Sequence, residues 1–222
     1  MAILLPPLVV AEALARHFGV WMLGLVTGAV VALFISVREE VPERIAKWRR
    51  GYEGEQKTAK QLARFRRRDC VVLHDLGDRR TAAYTKGNVD HVLVTPWGVF
   101  LLDSKVYSGS VSVAGDLVRV RDLDDGDSDD YVVDRLASGM RSRAARLSED
   151  LRKHAALSAY IEPVVVFWCP FEVGSVSSNG VHYVGGEHLV RWIEDRCRDA
   201  PVRIDVEPVA AGIRAARPDK VR

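Results

Sequence analysis

Residues 89–109 read VDHVLVTPWGVFLLDSKVYSG, and this stretch carries the residues best suited to chemistry. Asp90 lies on one apolar segment and Asp103-Ser104-Lys105 closes the next, with Pro96-Trp97-Gly98 between them as a tight turn. Residues two apart on a strand share a face, so Asp103 and Lys105 project together while Ser104 turns away. An antiparallel hairpin through the turn brings Asp90 level with or close to Asp103. Two carboxylates then offer the hard oxygen donors that Mg²⁺ prefers, with water and a substrate phosphate completing its coordination. Beside them Lys105 can orient or help deprotonate an attacking water, or stabilise developing negative charge. The chemistry implied is metal-assisted phosphodiester cleavage.

An Asp-x-Lys triplet is common on solvated strand faces. Here both acids interrupt runs that are otherwise apolar, VDHVLV and GVFLLDSK, where an unpaired charge is costly to bury. His91 follows Asp90 and points to the opposite face as a packing residue. The remaining histidines show no paired spacing, and no nucleophile elbow or phosphate-cradling glycine loop is present, which argues against triad hydrolases and nucleoside triphosphatases.

The segments GYEGE at 51–55, NVDHVLVTPWGVFLLDSK at 88–105 and the following YSGSVSV resemble the NERD domain, the nuclease-related domain of the restriction-endonuclease-like PD-(D/E)xK superfamily. The resemblance runs from about residue 51 to 193. It implies an α/β fold, a central mixed β-sheet flanked by helices, with a Mg²⁺-dependent nuclease site in which Mn²⁺ can substitute. It places Glu55 as the helical acid, Asp90 as the first strand acid, Asp103 as the second and Lys105 as the lysine, with Asp90, Asp103 and Glu55 as the metal ligands. Position 103 is Asp where many relatives carry Glu, and the helix following the sheet lacks the Gln that many relatives have.

The chain's 222 residues, 48% of them hydrophobic, suffice for one cored domain plus an appendage. A net charge of +2 does not by itself announce a nucleic-acid binder. Cys70, Cys169 and Cys197 lack metal-ligand spacing and read as reduced thiols.

Residues 18–37 form an uncharged run of twenty, the length of a membrane-crossing helix through a ~30 Å hydrocarbon core. Arg38, Arg44, Lys47, Arg49 and Arg50 follow the run and only Arg16 closely precedes it, which orients the N-terminus outward and the large domain toward the cytoplasm. The expected location is the cytoplasmic membrane of a bacterium, as a single-pass protein. Gly24, Gly28 and Ala32 form a small-residue stripe on which two such helices could pair as a homodimer. The expected organisation is an apolar segment over 1–17, a span over 18–37, a helical stalk over 38–50, the nuclease-like domain over 51–197 and a basic tail over 198–222.

Within the domain, periodicity predicts a helix over 53–68 with Ala59, Leu62 and Ala63 inward. Strands follow from residue 70 to 76 and through the hairpin, then alternation over 110–120 turning at Gly115-Asp116. Residues 121–130 hold six aspartates and read as a solvated loop. Leu136, Met140, Leu147 and Leu151 mark a helix over about 135–160, whose other face carries Arg141, Arg143, Arg146 and Arg152 as candidate phosphate contacts. A buried strand over 163–169, a short strand over 181–184 and a helix over 187–197 close the domain. Two functions follow from these residues. One is a membrane-anchored metal-dependent nuclease acting on DNA, ahead of RNA; the other is a non-catalytic, membrane-tethered nucleic-acid-binding or scaffold module that keeps the fold.

Overall fold

The computed structural model describes residues 9–13, 16, 21–67, 69–77, 89–121, 130–200 and 203–217. The chain divides into two compact units, Met1–Arg50 and Gly51–Arg222.

In the first unit the described backbone is helical, over 9–13 and from Trp21 onward in helix α1 (Trp21–Leu62), which contains the unit boundary. Leu25, Val26, Val30, Val31 and Leu33 are exposed. Gly24 lies close to Ala11, whose Cβ would stand 3.2 Å from a Cβ built on the glycine, while nothing lies within 4 Å of the same position on Gly28. No helix of the described residues is long and apolar enough to cross a membrane. The transmembrane helix expected over 18–37 is therefore not supported. The described helix starts at Trp21 and becomes charged from Arg38, so its uncharged part is shorter than the expected run; residues 18–20 lie outside the described residues.

The second unit is an α/β domain with a mixed central sheet flanked by helices. After α1 and a short 3-10 turn (Ala63–Arg67) come β1 (Val71–Leu76), β2 (Val89–Thr95) and β3 (Gly98–Lys105). A small antiparallel sheet follows, made of β4 (Ser110–Ala114), β5 (Leu117–Arg121) and β6 (Tyr131–Val133). The chain continues through α2 (Leu136–Ala155), β7 (Ile161–Phe167), β8 (Ser175–Ser178), β9 (Val181–Gly185), α3 (Leu189–Arg198) and α4 (Val206–Ala216). The main sheet has the order β1-β2-β3-β7-β9-β8. Its β1, β2 and β3 form an antiparallel meander, β3, β7 and β9 run parallel, and β8 returns antiparallel at the far edge.

Both faces of the sheet are covered, which is why β3 and β7 read as almost unbroken apolar runs. On one face Val92, Val94, Leu101 and Val165 pack with Met140, Leu147 and Leu151 of α2 and with Val209 and Ile213 of α4. On the other, Leu93, Phe100, Leu102 and Val166 pack with Leu62 of α1, Phe65 of the 3-10 turn, and Leu189 and Ile193 of α3. Each fully buried Leu or Met contributes about 2 kcal/mol.

Several expectations change. Ala63 is exposed, and the inward positions of that helix end are Thr58, Leu62 and Phe65. The expected basic tail contains α4, with Val209, Ala210, Ile213 and Ala216 buried. Just beyond it, buried Arg217 pairs with Asp150 of α2 at 3.2 Å. Strands β6 and β8 have no counterpart in the sequence reading. Residues 122–129 of the aspartate-rich loop lie outside the described residues.

Candidate active site

The hairpin register pairs His91 with Leu102 and Thr95 with Gly98 around the Pro96-Trp97 turn. One further step sets Asp90 opposite Asp103, and directly opposed side chains share a face with Cβ atoms ~5 Å apart. Both acids thus sit at the carboxyl end of β3, the end of an open α/β sheet where ligands bind.

Asp103 is 3% exposed. Its Oδ2 lies 2.7 Å from Lys105 Nζ, and its Oδ1 3.3 Å from Arg143 Nη1 of α2. Burial alone would push this carboxyl up, but the charges of Lys105 and Arg143 and a hydrogen bond with Asp90 outweigh it and hold Asp103 below the usual carboxylate range. Asp90 has the opposite balance. Burial first, then the charge of Asp103 and the hydrogen bond between the two carboxyls, push it up to about 8, and the charge of Glu55 adds to the rise. Near neutral pH the pair shares one proton, held chiefly by Asp90. The Ser104 backbone N–H also points at Asp90 Oδ2, 3.4 Å away.

Glu55 reaches this end of the sheet because of its neighbour. A Cβ on Gly54 would lie 2.5 Å from Val106 Cγ2, so only glycine lets α1 approach the chain leaving β3 this closely. Glu55 is close enough for its charge to act on Asp90, yet no three His, Cys, Asp or Glu side chains among the described residues group as a metal site. The pair Asp90 and Asp103 is what the fold brings together. Such a pair, one member driven to keep its proton, is a donor set that could accept a divalent cation, because the cation's charge would let both ionise.

Ser104 turns to the other face, as strand alternation requires. Its Oγ lies 2.7 Å from Thr58 Oγ1 on α1, and the indole N–H of Trp168 donates to that same Thr58 oxygen at 2.8 Å. This polar chain ties α1 to the ends of β3 and β7, and nothing in the sequence pattern announces it. His91 faces the same way and is buried; its Nδ1 lies 2.8 Å from Nδ1 of His74 on β1. Burial and the neighbouring His74 push His91 down to about 4, so it is neutral at neutral pH. His74 and His91 meet because β1 and β2 are neighbours, which puts positions 74 and 91 in register, a pairing that spacing along the sequence does not show.

The arginines of α2 do not act as one stripe. Arg141 is committed to Asp116, with contacts of 2.8 and 2.9 Å, and donates to the carbonyl of Asn179. Arg143 belongs to the carboxylate site. Arg146 turns back on Ser142, and Arg152 is exposed. The role of Arg143 was hidden from the sequence because it lies 40 positions from Asp103, on an element whose orientation tertiary packing decides.

The nuclease-related domain family, NERD, matches residues 50–168, a stretch that includes Glu55, Asp90, Asp103, Lys105 and Arg143 and ends at Trp168. The chain belongs to the NERD family. No curated protein and no solved structure matches it. The NERD match covers the last part of α1, from residue 50, through β7, and β8, β9, α3 and α4 complete the domain beyond it.

Proposed function

We propose that this NERD protein is a metal-dependent nuclease that hydrolyses phosphodiester bonds of DNA, with Mg²⁺ as its ion and Mn²⁺ as a substitute. The observation that carries the reading is the pairing of half-buried Asp90 with buried Asp103 at the sheet's carboxyl end, with Lys105 and Arg143 on the second acid. Asp90 and Asp103 would hold the ion, with Glu55 close by. A bound divalent cation supplies Lewis-acid polarisation of the phosphate and lowers the pKa of a coordinated water. The chain's own groups do the rest. Lys105 and Arg143 together hold the Asp103 carboxyl low, and Arg143 reaches it from the α2 side. Lys105, whose side chain is 31% exposed, has access to a ligand, so its ammonium can orient the attacking water and meet the charge that builds on the phosphate oxygens.

Attachment to the cytoplasmic membrane, with the domain on the cytoplasmic side, rests on the uncharged run at 18–37 and the basic residues after it. It is consistent with the exposure of Leu25, Val26, Val30, Val31 and Leu33. A homodimer through Gly24, Gly28 and Ala32 rests on the spacing of those residues. Fractionation tests attachment: pelleting that resists high salt and yields to detergent is expected, and release by salt contradicts it. Labelling of a Ser175→Cys variant from outside intact cells contradicts the orientation.

One observation favours the non-catalytic scaffold reading: Glu55 does not join the two aspartates as a third ligand among the described residues. Cleavage of plasmid, single strands and RNA by the purified full chain, with Mg²⁺, Mn²⁺ or EDTA, separates the two readings. Activity lost in EDTA and in Asp103→Asn supports the nuclease, whereas a wild-type chain inert with both ions supports the scaffold.

A further inference from the structure

A groove of about 840 Å³ opens between α1 and the segments that leave β7 and β9. Lys57, Lys60 and Arg64 line it from one side and Trp168 and Phe171 from the other. The three basic residues fall at i, i+3 and i+7, so they form one row about 10 Å long. All three are exposed, and among the described residues none makes an ion pair. Glu187 on the rim is the one carboxylate in the lining.

The groove is tied to the end of β3, the strand whose opposite face carries Asp103. The Trp168 N–H donates to the Lys105 carbonyl at 2.9 Å, and the Trp168 indole reaches Ser104 through Thr58. The indole is rigidly placed, with one face against Gly186, where an added Cβ would stand 2.5 Å from ring atoms. Above the ring lies the Lys57 ammonium, 5.6 Å from its centroid. An exposed cation–π contact is worth about 0.5–1 kcal/mol, against about 1–3 kcal/mol for a base stacked on an aromatic side chain. A base can therefore displace Lys57 from the ring and leave its ammonium free for the adjoining phosphate.

We propose that this groove binds a single-stranded polynucleotide, with Lys57, Lys60 and Arg64 following the phosphates and Trp168 stacking an unpaired base, and delivers the strand to the Asp90–Asp103 site. This rests on the nuclease reading and names its substrate as unpaired strand. A duplex keeps its base faces stacked inside and can offer this groove only its phosphates.

The test uses the full chain in detergent and the anisotropy of labelled oligo-dT, oligo-rU and a duplex, in EDTA so that no cleavage intervenes. Wild type is expected to bind oligo-dT or oligo-rU at least tenfold tighter than duplex; the tighter of the two arms identifies the sugar. Neutralising three phosphate contacts contributes about −2 to the slope of log affinity against log salt between about 50 and 200 mM. The triple variant Lys57→Ala, Lys60→Ala, Arg64→Ala, confined to exposed positions, should lose at least tenfold in affinity and about 2 from that slope. Trp168→Phe, which keeps a ring, should bind better than Trp168→Leu at equal helicity. Unchanged affinity and slope in the triple variant, or duplex bound as tightly as single strand, overturns the proposal. Strand binding that depends on the groove in a chain that cleaves nothing overturns the nuclease reading and leaves the groove standing.

Discussion

Replacing Arg143 by Ala removes one of the two cations that hold the buried carboxylate of Asp103. The guanidinium lies 3.3 Å from Asp103 Oδ1, where an effective dielectric of about 20 gives a gross attraction of about 5 kcal/mol. Desolvation cancels much of it. The Arg143 side chain keeps 23% of its exposure and Lys105 stays on the other oxygen, so the net loss should be about 2 kcal/mol. That lowers the melting temperature by about 4–8 °C for a domain of this size. With less positive charge beside it, the Asp103 carboxyl moves upward and competes with Asp90 for the shared proton, so cleavage at neutral pH should fall about 10- to 100-fold and recover as pH is raised. Arg143→Lys can remake the single contact seen here and should regain most of the rate, whereas Arg143→Gln should not. Thermal melts and single-turnover cleavage from pH 6 to about 9 read both effects. An alanine variant that melts within about 1 °C of wild type and cleaves at the same rate at every pH would refute the role assigned to Arg143.

Three further outcomes are expected. Gly54→Ala should cost about 1–3 kcal/mol by forcing α1 away from Val106, measured by urea unfolding; an unchanged midpoint would mean that the helix does not need this close approach. Arg217→Ala removes the guanidinium paired with buried Asp150 and should cost about 3–5 kcal/mol, and a loss below about 1 kcal/mol would place the end of α4 outside the packed domain. For Glu162, burial would raise the carboxyl, but the hydrogen bonds from His182 and Arg196 hold it below its ordinary value. Its stabilising effect is therefore present above the unfolded carboxylate pKa and lost as pH falls through the folded one. The stability gap between wild type and Glu162→Gln should be open at pH 7 and closed near about pH 3; a constant gap would show that the ionised form is not what matters.

The hairpin and its two acids were legible because local signals agree: Pro96-Trp97 turns the chain, the flanking residues are apolar, and period-two alternation fixes which side chains share a face. Tertiary neighbours were not legible. The Arg143 contact, the Thr58–Ser104–Trp168 chain and the His74–His91 pair each depend on how distant elements pack. Helix α4 was hidden by Pro208 and Gly212, ordinarily helix breakers. Pro208 falls in the first turn, where its missing N–H costs nothing, and a Cβ on Gly212 would stand 2.7 Å from Leu151 and Ala155, so the glycine is the condition for α4 to pack on α2. Strand β8 is the polar run SVSS, paired on one side only, and strand β6 spans three residues; neither carries enough apolar pattern to stand out. Glu55 was placed by resemblance, and the fold brings its charge to bear on Asp90 without grouping the three acids.

The most direct test of the central claim is the rate of phosphodiester cleavage by wild type, Asp103→Asn and Lys105→Ala at matched folding, each with Mg²⁺, Mn²⁺ and EDTA. Asp103→Asn changes one charge and almost no volume. Wild type is expected to cleave with either ion and not in EDTA, Asp103→Asn to fall by about a thousandfold or more, and Lys105→Ala to lose cleavage while keeping strand binding. Cleavage by Asp103→Asn at the wild-type rate would contradict the claim.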